Sequence, residues 1–380
     1  MSDTLLKLVQ ELVLRPSITP DDHGCQTIIR NILSSQGFSC LTLKENQTDN
    51  LLALHGSGHP FILFLGHTDV VPPGDEKNWT HPPFDAVVTK HKDALILHGR
   101  GSADMKGSDA AMTLALADFV KECPNHQGTV GLLLTSNEEG DAKGGTPFVA
   151  EYLKKHSLIP DHCLVGEPSA LERFGDQIKI GRRGSLSCDI TVLGTQGHVA
   201  YPEKCDNAAH HAAVLMAALS QKKWDEGNEA FPPTSFQITN IRCGSGAENM
   251  APGSCFFMCN WRFNSEQTPQ SIKAVVDDLL NQYEIKAELS WRLNGLPFIT
   301  KKGLFLDTLQ SILKKETGFE PKLSTSGGTS DGRFIAPLGC EVVEIGPCGA
   351  SIHKIDECVN IQDLEKMQSV CEKILKKLAV

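Results

Sequence analysis

A chain of 380 residues exceeds what one hydrophobic core usually organises, so two domains are the default expectation. Its 40% hydrophobic and 22% charged residues are ordinary for a globular protein. A net charge of -10, without any run of four Lys or Arg, excludes a general nucleic-acid or anionic-membrane binder. No apolar run approaches transmembrane length, and the first residues lack a basic stretch followed by a small-residue cleavage site. The chain is therefore expected in the cytoplasm, without nucleic-acid or membrane partners. Thirteen cysteines, an odd number with no C-x-x-C spacing, argue against a disulfide framework and against a cysteine zinc site. Most are expected to be small buried apolar groups.

In chain order, Leu5, Leu6, Val9, Leu12 and Val13 recur at helical spacing. So do Ile28, Ile29, Ile32 and Leu33, in a helix that stops near Gly37. Short strands follow over 40–43 and 50–55. The run 61–65 reads as a buried strand and ends in His67, Thr68 and Asp69. On extended backbone His67 and Asp69 share a face. That suits a metal ligand with its orienting carboxylate, or a strand-end histidine held by a neighbouring aspartate for local structure. A loop over 72–83 leads to a strand pair near 86–90 and 94–98. GRGSADMKG, from Gly99, fits neither the Walker nor the dinucleotide fingerprint. It places Asp104 ahead of an alanine-rich helix that starts near Ser108. The buried strand from Thr129 terminates in Glu138 and Glu139, whose side chains diverge on extended backbone. A helix over 146–156 precedes a strand that ends at Glu167, and the apolar stretch 341–347 delivers His353. A last helix spans 361–378.

Between these parts lies a different rhythm: strand 185–193, helix 207–219, strands 235–242 and 254–263, helix 270–283 and strand 285–293. The order β-α-β-β-α-β is the split βαβ pattern of a ferredoxin-like domain. The expected fold is thus an α/β catalytic domain, a mostly parallel mixed sheet flanked by helices, over 1–180 and 295–380. An α+β ferredoxin-like domain over 181–294 interrupts it.

In a mostly parallel sheet, residues just past the carboxyl ends of the strands converge on one crevice. His67, Asp104, Glu139, Glu167 and His353 would suffice for two metal ions if one carboxylate bridges them. Imidazole and carboxylate ligands suit zinc, with cobalt or manganese as substitutes. Taken singly, Asp104 reads equally as a helix N-terminal acid, Glu167 as a turn residue, and the Glu pair as a solvated strand end.

GHTDVVPPG, GRGSADMKG, SNEEGD, GEPS and SIHK, in this order, resemble the co-catalytic zinc aminoacylase/carboxypeptidase-type metallopeptidases with an inserted dimerisation domain. Longer stretches beginning at Arg182, Trp224 and Ser326 resemble the bacterial branch of that family acting on N-succinyl-L,L-2,6-diaminopimelate in lysine and diaminopimelate biosynthesis. The likeness spans nearly the whole chain. It implies a zinc-exopeptidase-like catalytic domain and a homodimer formed through the inserted lid domain. It also implies two Zn2+ per subunit, with Co2+ as a substitute. By position, Asp104 would bridge the ions, His67 and Glu167 would complete one site, and Glu139 and His353 the other. Asp69 would orient His67, and Glu138 would be the general base. His198, in the lid, would reach the active site of the opposite subunit to help hold the oxyanion.

A substrate with three carboxylates needs local positive charge, for which Arg182, Arg183, Arg262 and Arg333 are candidates. The resemblance adds Ser185, Asn249, Gly328 and Thr329. Two positions depart from the family pattern: Asn137 where many relatives have aspartate, and Gly349 where relatives often have asparagine. Competing readings are a sister deacylase acting on N-acetylornithine or another N-acyl amino acid, a metallo-exopeptidase for small peptides, and a non-catalytic binding protein on the same fold.

Overall fold

The computed structural model describes residues 3–380. The chain forms two compact units. One is built from residues up to Gly181, Ile299–Ser324 and Ser330–Val380, the other from Arg182–Phe298 and Thr325–Thr329. Residues 295–298 and 325–329, expected in the catalytic domain, thus group with the inserted unit. Hydrogen bonds explain the second stretch: Thr325 Oγ1 donates to the Ala230 carbonyl at 2.5 Å, and Arg182 donates to the Ser326 carbonyl at 3.2 Å.

The first unit holds an eight-stranded mixed sheet. Its order is Ser39–Glu45, Thr48–Gly56, Thr129–Thr135, Phe61–His67, His162–Val165, Glu341–Glu344, Gln177–Lys179 and Lys322–Ser324. The four central strands, from Thr129–Thr135 to Glu341–Glu344, run parallel, and the strands on either side of them, Thr48–Gly56 and Gln177–Lys179, pair antiparallel with the outermost of the four. Every residue of Phe61–His67 and of Thr129–Thr135 is buried. That is why these strands read as continuous apolar runs: helices cover both faces of a parallel sheet. Helix Gly107–Glu122 is buried over most of its circumference and packs on Ile361–Leu378, which contributes Leu364, Met367, Val370, Cys371, Ile374 and Leu375 to the core. Helix Leu304–Thr317 lies outside the sequence expectations, although Phe305, Leu309 and Leu313 are buried at helical spacing and Gly318 closes it at φ +81°.

The second unit carries a four-stranded antiparallel sheet in the order Ser235–Cys243, Ser254–Phe263, Gly184–Leu193 and Lys286–Gly295. Leu186, Cys188, Ile190 and Val192 alternate inward on one strand, and Cys255, Phe257, Cys259, Trp261 and Phe263 on its neighbour. They pack with Leu215 and Leu219 of helix Ala208–Gln221 and with Ile272 and Val276 of helix Pro269–Gln282. The β-α-β-β-α-β order of the sequence is the order of this unit.

Candidate active site

The register of the central strands brings the site together. His67 pairs with Thr135, and Leu65 with Val165, so Glu167 lies level with His67. The turn at 138–140 carries Glu138 and Glu139 just past Thr135. These two glutamates therefore diverge from a turn and not from extended strand. Asp104 sits in a bent stretch, Ser102–Lys106, with φ -127° and ψ 94°, just ahead of helix Gly107–Glu122. Two residues on, buried Lys106 donates to the carbonyls of Leu12 and Arg15 at 3.0 and 2.7 Å, tying this stretch to the end of the first helix. His353 arrives from a turn after Glu341–Glu344 and is half-exposed.

The Asp104 carboxylate faces two histidines with its two oxygens. Oδ1 lies 3.2 Å from His67 Nε2, and Oδ2 lies 3.3 Å from His353 Nε2. Glu167 Oε1 is 3.8 Å from His67 Nε2, and Glu139 Oε1 is 2.9 Å from His353 Nε2. The His67 Nδ1–H donates to the Asp69 carbonyl at 2.9 Å, which turns Nε2 toward the carboxylates, where it carries a proton shared with Asp104 or, once that proton is lost, would offer its lone pair to a cation. His67, Asp104 and Glu139 offer one donor atom each within 4.8 Å of one another, and so do His67, Glu138 and Glu167. Four largely buried carboxylates converging on the buried imidazole of His67 and the half-exposed one of His353 form a donor set that a pair of divalent cations fits, since buried like charges are costly without a counter-charge.

Without cations such a cluster balances itself with protons. Burial works against a charged His67, but hydrogen bonding to Asp104 and the charges of Asp69, Asp104 and Glu167 outweigh it and raise its pKa well above the ordinary value. Hydrogen bonds to Asp104 and Glu139 raise His353 to about 10. Burial, then the neighbouring Asp331 charge, pushes Glu138 up to about 8, while burial and Asp104 raise Glu167. For Asp104 the two histidine hydrogen bonds overcome burial and hold it below the usual carboxylate range. Metal-free protein prepared by chelation thus favours the charged form of both imidazoles. A ligating imidazole must be neutral, so metal loading is expected to release about two or more protons per chain. Apparent affinity should rise with pH until His353 has lost its proton near 10. Calorimetric titration in buffers of different ionisation enthalpy measures this, and metal uptake without proton release would contradict it.

Three supporting contacts differ from the sequence expectations or lie outside them. Asp69 orients His67 through its main-chain carbonyl, while its carboxylate stands 3.7 Å from Nδ1. That carboxylate instead accepts from the Glu138 and Glu139 amides at 3.2 and 3.1 Å and so fixes the glutamate turn. Arg333 lies beside Glu138, with 3.6 Å between guanidinium and carboxylate and only 9% of its side chain exposed. The third contact involves Glu357, buried with Arg100 at a 2.7 Å ion pair. Its other oxygen accepts from the amides of Ala103 and Asp104 at 3.0 and 3.2 Å. Glu357→Gln keeps only one acceptor oxygen, so an NH2 must face either the Arg100 guanidinium or the amides of Ala103 and Asp104, and the brace on the Asp104 backbone is weakened. Metal affinity is expected to fall about 10- to 100-fold with the fold retained, because supporting partners of ligands have effects of this size. Unchanged affinity in a metal titration would remove Glu357 from this role.

The remaining candidates belong to the second unit. Ser185 and Ser235 are both register partners of Arg262, so the three share one face. Ser185 Oγ accepts from Asn260 and Asn294 at 3.0 and 3.2 Å, and Arg183 donates to Ser235 at 3.3 Å. Arg182 is buried, Gly328 is exposed, Thr329 is half-buried, and Asn249 lies on an exposed loop. His198 is exposed and accepts the Ala200 amide at Nδ1, 3.1 Å, which makes its outer Nε2 a donor in the neutral ring. Met250 and Ala251 pair with His198 and Gly197. No helix of the described residues is long and apolar enough to cross a membrane.

Residues 63–377 match the model of peptidase family M20/M25/M40. The chain is 49% identical over 373 residues to the succinyl-diaminopimelate desuccinylase of Marinobacter nauticus, covering 98% of each chain. It is 48% identical to the enzyme of the same name from Methylococcus capsulatus, over 100% of this chain and 99% of that one. Among solved structures, an M20 family metallo-carboxypeptidase of Sulfolobus solfataricus aligns with TM-score 0.82 at 18% identity, covering 99% of both chains. The aminopeptidase PepT of Bacillus cereus aligns with TM-score 0.80 at 18% identity, covering 99% of this chain and 98% of that one. At these identities the two structures speak for the fold.

Proposed function

Since the chain belongs to peptidase family M20/M25/M40, we propose that it is a metal-dependent amidohydrolase cleaving N-succinyl-L,L-2,6-diaminopimelate to succinate and L,L-2,6-diaminopimelate. One observation carries the reaction class: the two oxygens of Asp104 face two separate imidazole–carboxylate pairs. The acyl group follows from relatives that match nearly end to end and share one name. In this reading the enzyme works as a cytoplasmic homodimer in bacterial lysine and diaminopimelate biosynthesis.

His67 and Glu167 would hold one cation, His353 and Glu139 the other, with Asp104 placed to serve both. Two zinc ions, or cobalt in their place, supply an activated water and a polarised amide carbonyl when bound. Glu138 takes the proton of the attacking water and returns it to the leaving nitrogen. Its neighbour Arg333 keeps the Glu138 carboxylate company and offers charge to a substrate carboxylate. Arg182, Arg183, Arg262, Ser185, Asn249, Gly328 and Thr329 provide further substrate contacts. His198 of a second copy donates from Nε2 to the oxyanion. Its exposure supports that role, as does the bare face of helix Ala208–Gln221, where Ala213, Val214 and Ala217 meet solvent as a surface for a second copy.

Turnover on N-succinyl-L,L-2,6-diaminopimelate, N-acetylornithine and a dipeptide, with bound metal and sedimentation measured on the same preparation, tests the reading. The succinyl substrate is expected to lead in kcat/KM by about 100-fold or more, because pocket groups built for a carboxylate are left unpaired by acetyl. Preference for acetylornithine would replace the substrate, and metal-free, inactive protein would leave a binding module. A monomer in sedimentation would remove His198 from the mechanism.

A further inference from the structure

In the second unit Cys243 stands directly across from Cys255 on neighbouring antiparallel strands. Residues opposed in this way share a face, with Cβ atoms about 4.5–5.5 Å apart. The Cys243 thiol donates to the carbonyl of Ser254, the residue just before Cys255, at 3.8 Å, so it lies against the strand that carries its partner. Cys243 is exposed and Cys255 is buried. A second cross-strand pair, Cys188 opposite Cys259, is buried at both positions and closed to a dissolved oxidant.

What lies between the first two cysteines gives the pair its significance. Residues 244–253 connect the two strands, exposed over the first half, with Gly244 and Gly246 at φ +76° and +86° in open space. The loop then folds back: the Asn249 carbonyl accepts from Val199 at 3.1 Å, and Met250 pairs with His198. Cys243 and Cys255 are the base of the loop that carries Asn249 and holds the His198 strand.

We propose that Cys243 and Cys255 are an oxidation site, forming a reversible disulfide that re-aims the loop bearing Asn249 and its pairing with His198. A disulfide needs its Cβ atoms about 3.8 Å apart, closer than opposed strand residues stand, so closing it draws the base of the loop together. The oxidant is a peroxide. Cys243, the exposed thiol, attacks one peroxide oxygen as its thiolate, becomes a sulfenic acid and releases the other oxygen as water. The Cys255 sulfur then attacks the sulfenic sulfur, and its proton leaves with the sulfenic oxygen as a second water. Two thiols are oxidised and one peroxide is reduced. A dithiol reductant restores both thiols by exchange. Burial pushes the Cys255 thiol up to about 12, which makes Cys243 the attacking partner.

The effect on turnover rests on the amidohydrolase reading; formation of the disulfide does not. The metal-loaded, full-length protein is treated with stoichiometric hydrogen peroxide and followed by peptide mapping, limited proteolysis and turnover. The expected map joins Cys243 to Cys255 with loss of two hydrogens, ahead of any other cysteine. Cleavage within 244–253 slows, and turnover drops about tenfold, since misplacement near 1 Å costs up to about 100-fold. Dithiothreitol reverses all three effects, and Cys243→Ser, starting at the wild-type rate, shows none. Oxidation of a different pair first, or an unchanged rate and unchanged proteolysis with the disulfide formed, would overturn the proposal. Absence of turnover before any oxidation would count against the amidohydrolase reading alone, with mapping and proteolysis still deciding the disulfide.

Discussion

Glu138→Gln is expected to keep two metal ions and lose about 10²- to 10⁴-fold in kcat, the range set by a positioned general base. Glutamine has the same shape, so the turn held by the Asp69 carboxylate survives, and Arg333 keeps a polar neighbour. What it lacks is a basic site that can take a proton and give it back. The substitution also separates two roles that the geometry brings close. Glu138 lies within 4.8 Å of His67 and Glu167 donor atoms, near enough to ligate. If Glu138 were a ligand, one ion would be lost along with activity. Metal content by mass spectrometry beside steady-state kinetics distinguishes the two, and near-normal turnover would refute the base assignment.

Asp104→Ala should be the most damaging change to the centre itself. Each Asp104 oxygen faces a different histidine, so one substitution removes a donor from both halves. Both ions are expected to be lost after dialysis, with turnover falling to background. Glu167→Ala and Glu139→Ala should each weaken one half and leave the other populated. The alanine also leaves two imidazoles without the acceptor that holds their charge, so the pH dependence of metal binding should shrink with the affinity. An Asp104→Ala protein that retains two ions would show that Asp104 does not bridge them.

The catalytic sheet is legible in the sequence because strands buried on both faces are written as unbroken apolar runs. FILFL at 61–65 and VGLLL at 130–134 leave the first polar residues after them conspicuous. The alternating strands of the inserted unit are legible for the complementary reason, one face packed and one open. Gln177–Lys179 and Lys322–Ser324 are three residues each, too short for any period to register. Periodicity also assigns faces and not atoms. It pairs Asp69 with His67, yet the contact is made by the main-chain carbonyl. Glu357 and Arg100 leave no local mark, because Glu357 acts on the amides of Ala103 and Asp104 from far along the chain. Nor does the alanine-rich helix pattern announce Asp109, whose carboxyl is buried without a hydrogen-bond partner among the described residues, one oxygen pressed against Gly66.

The position of Glu341–Glu344 bears on how the protein is made. This strand lies inside the sheet, between His162–Val165 and Gln177–Lys179, and both neighbours leave the ribosome long before it does. Until it arrives, one side of His162–Val165 presents unpaired backbone and apolar side chains, the kind of edge on which nascent chains aggregate. Closing the gap requires contacts between distant stretches of sequence, which slows folding. The inserted unit, contiguous from Arg182 to Phe298 apart from 325–329, can meanwhile complete its four strands. His353 follows the last residue of that strand by nine positions. Sealing the sheet and completing the donor set are therefore nearly one event in synthesis, and protection from aggregation arrives together with competence to act.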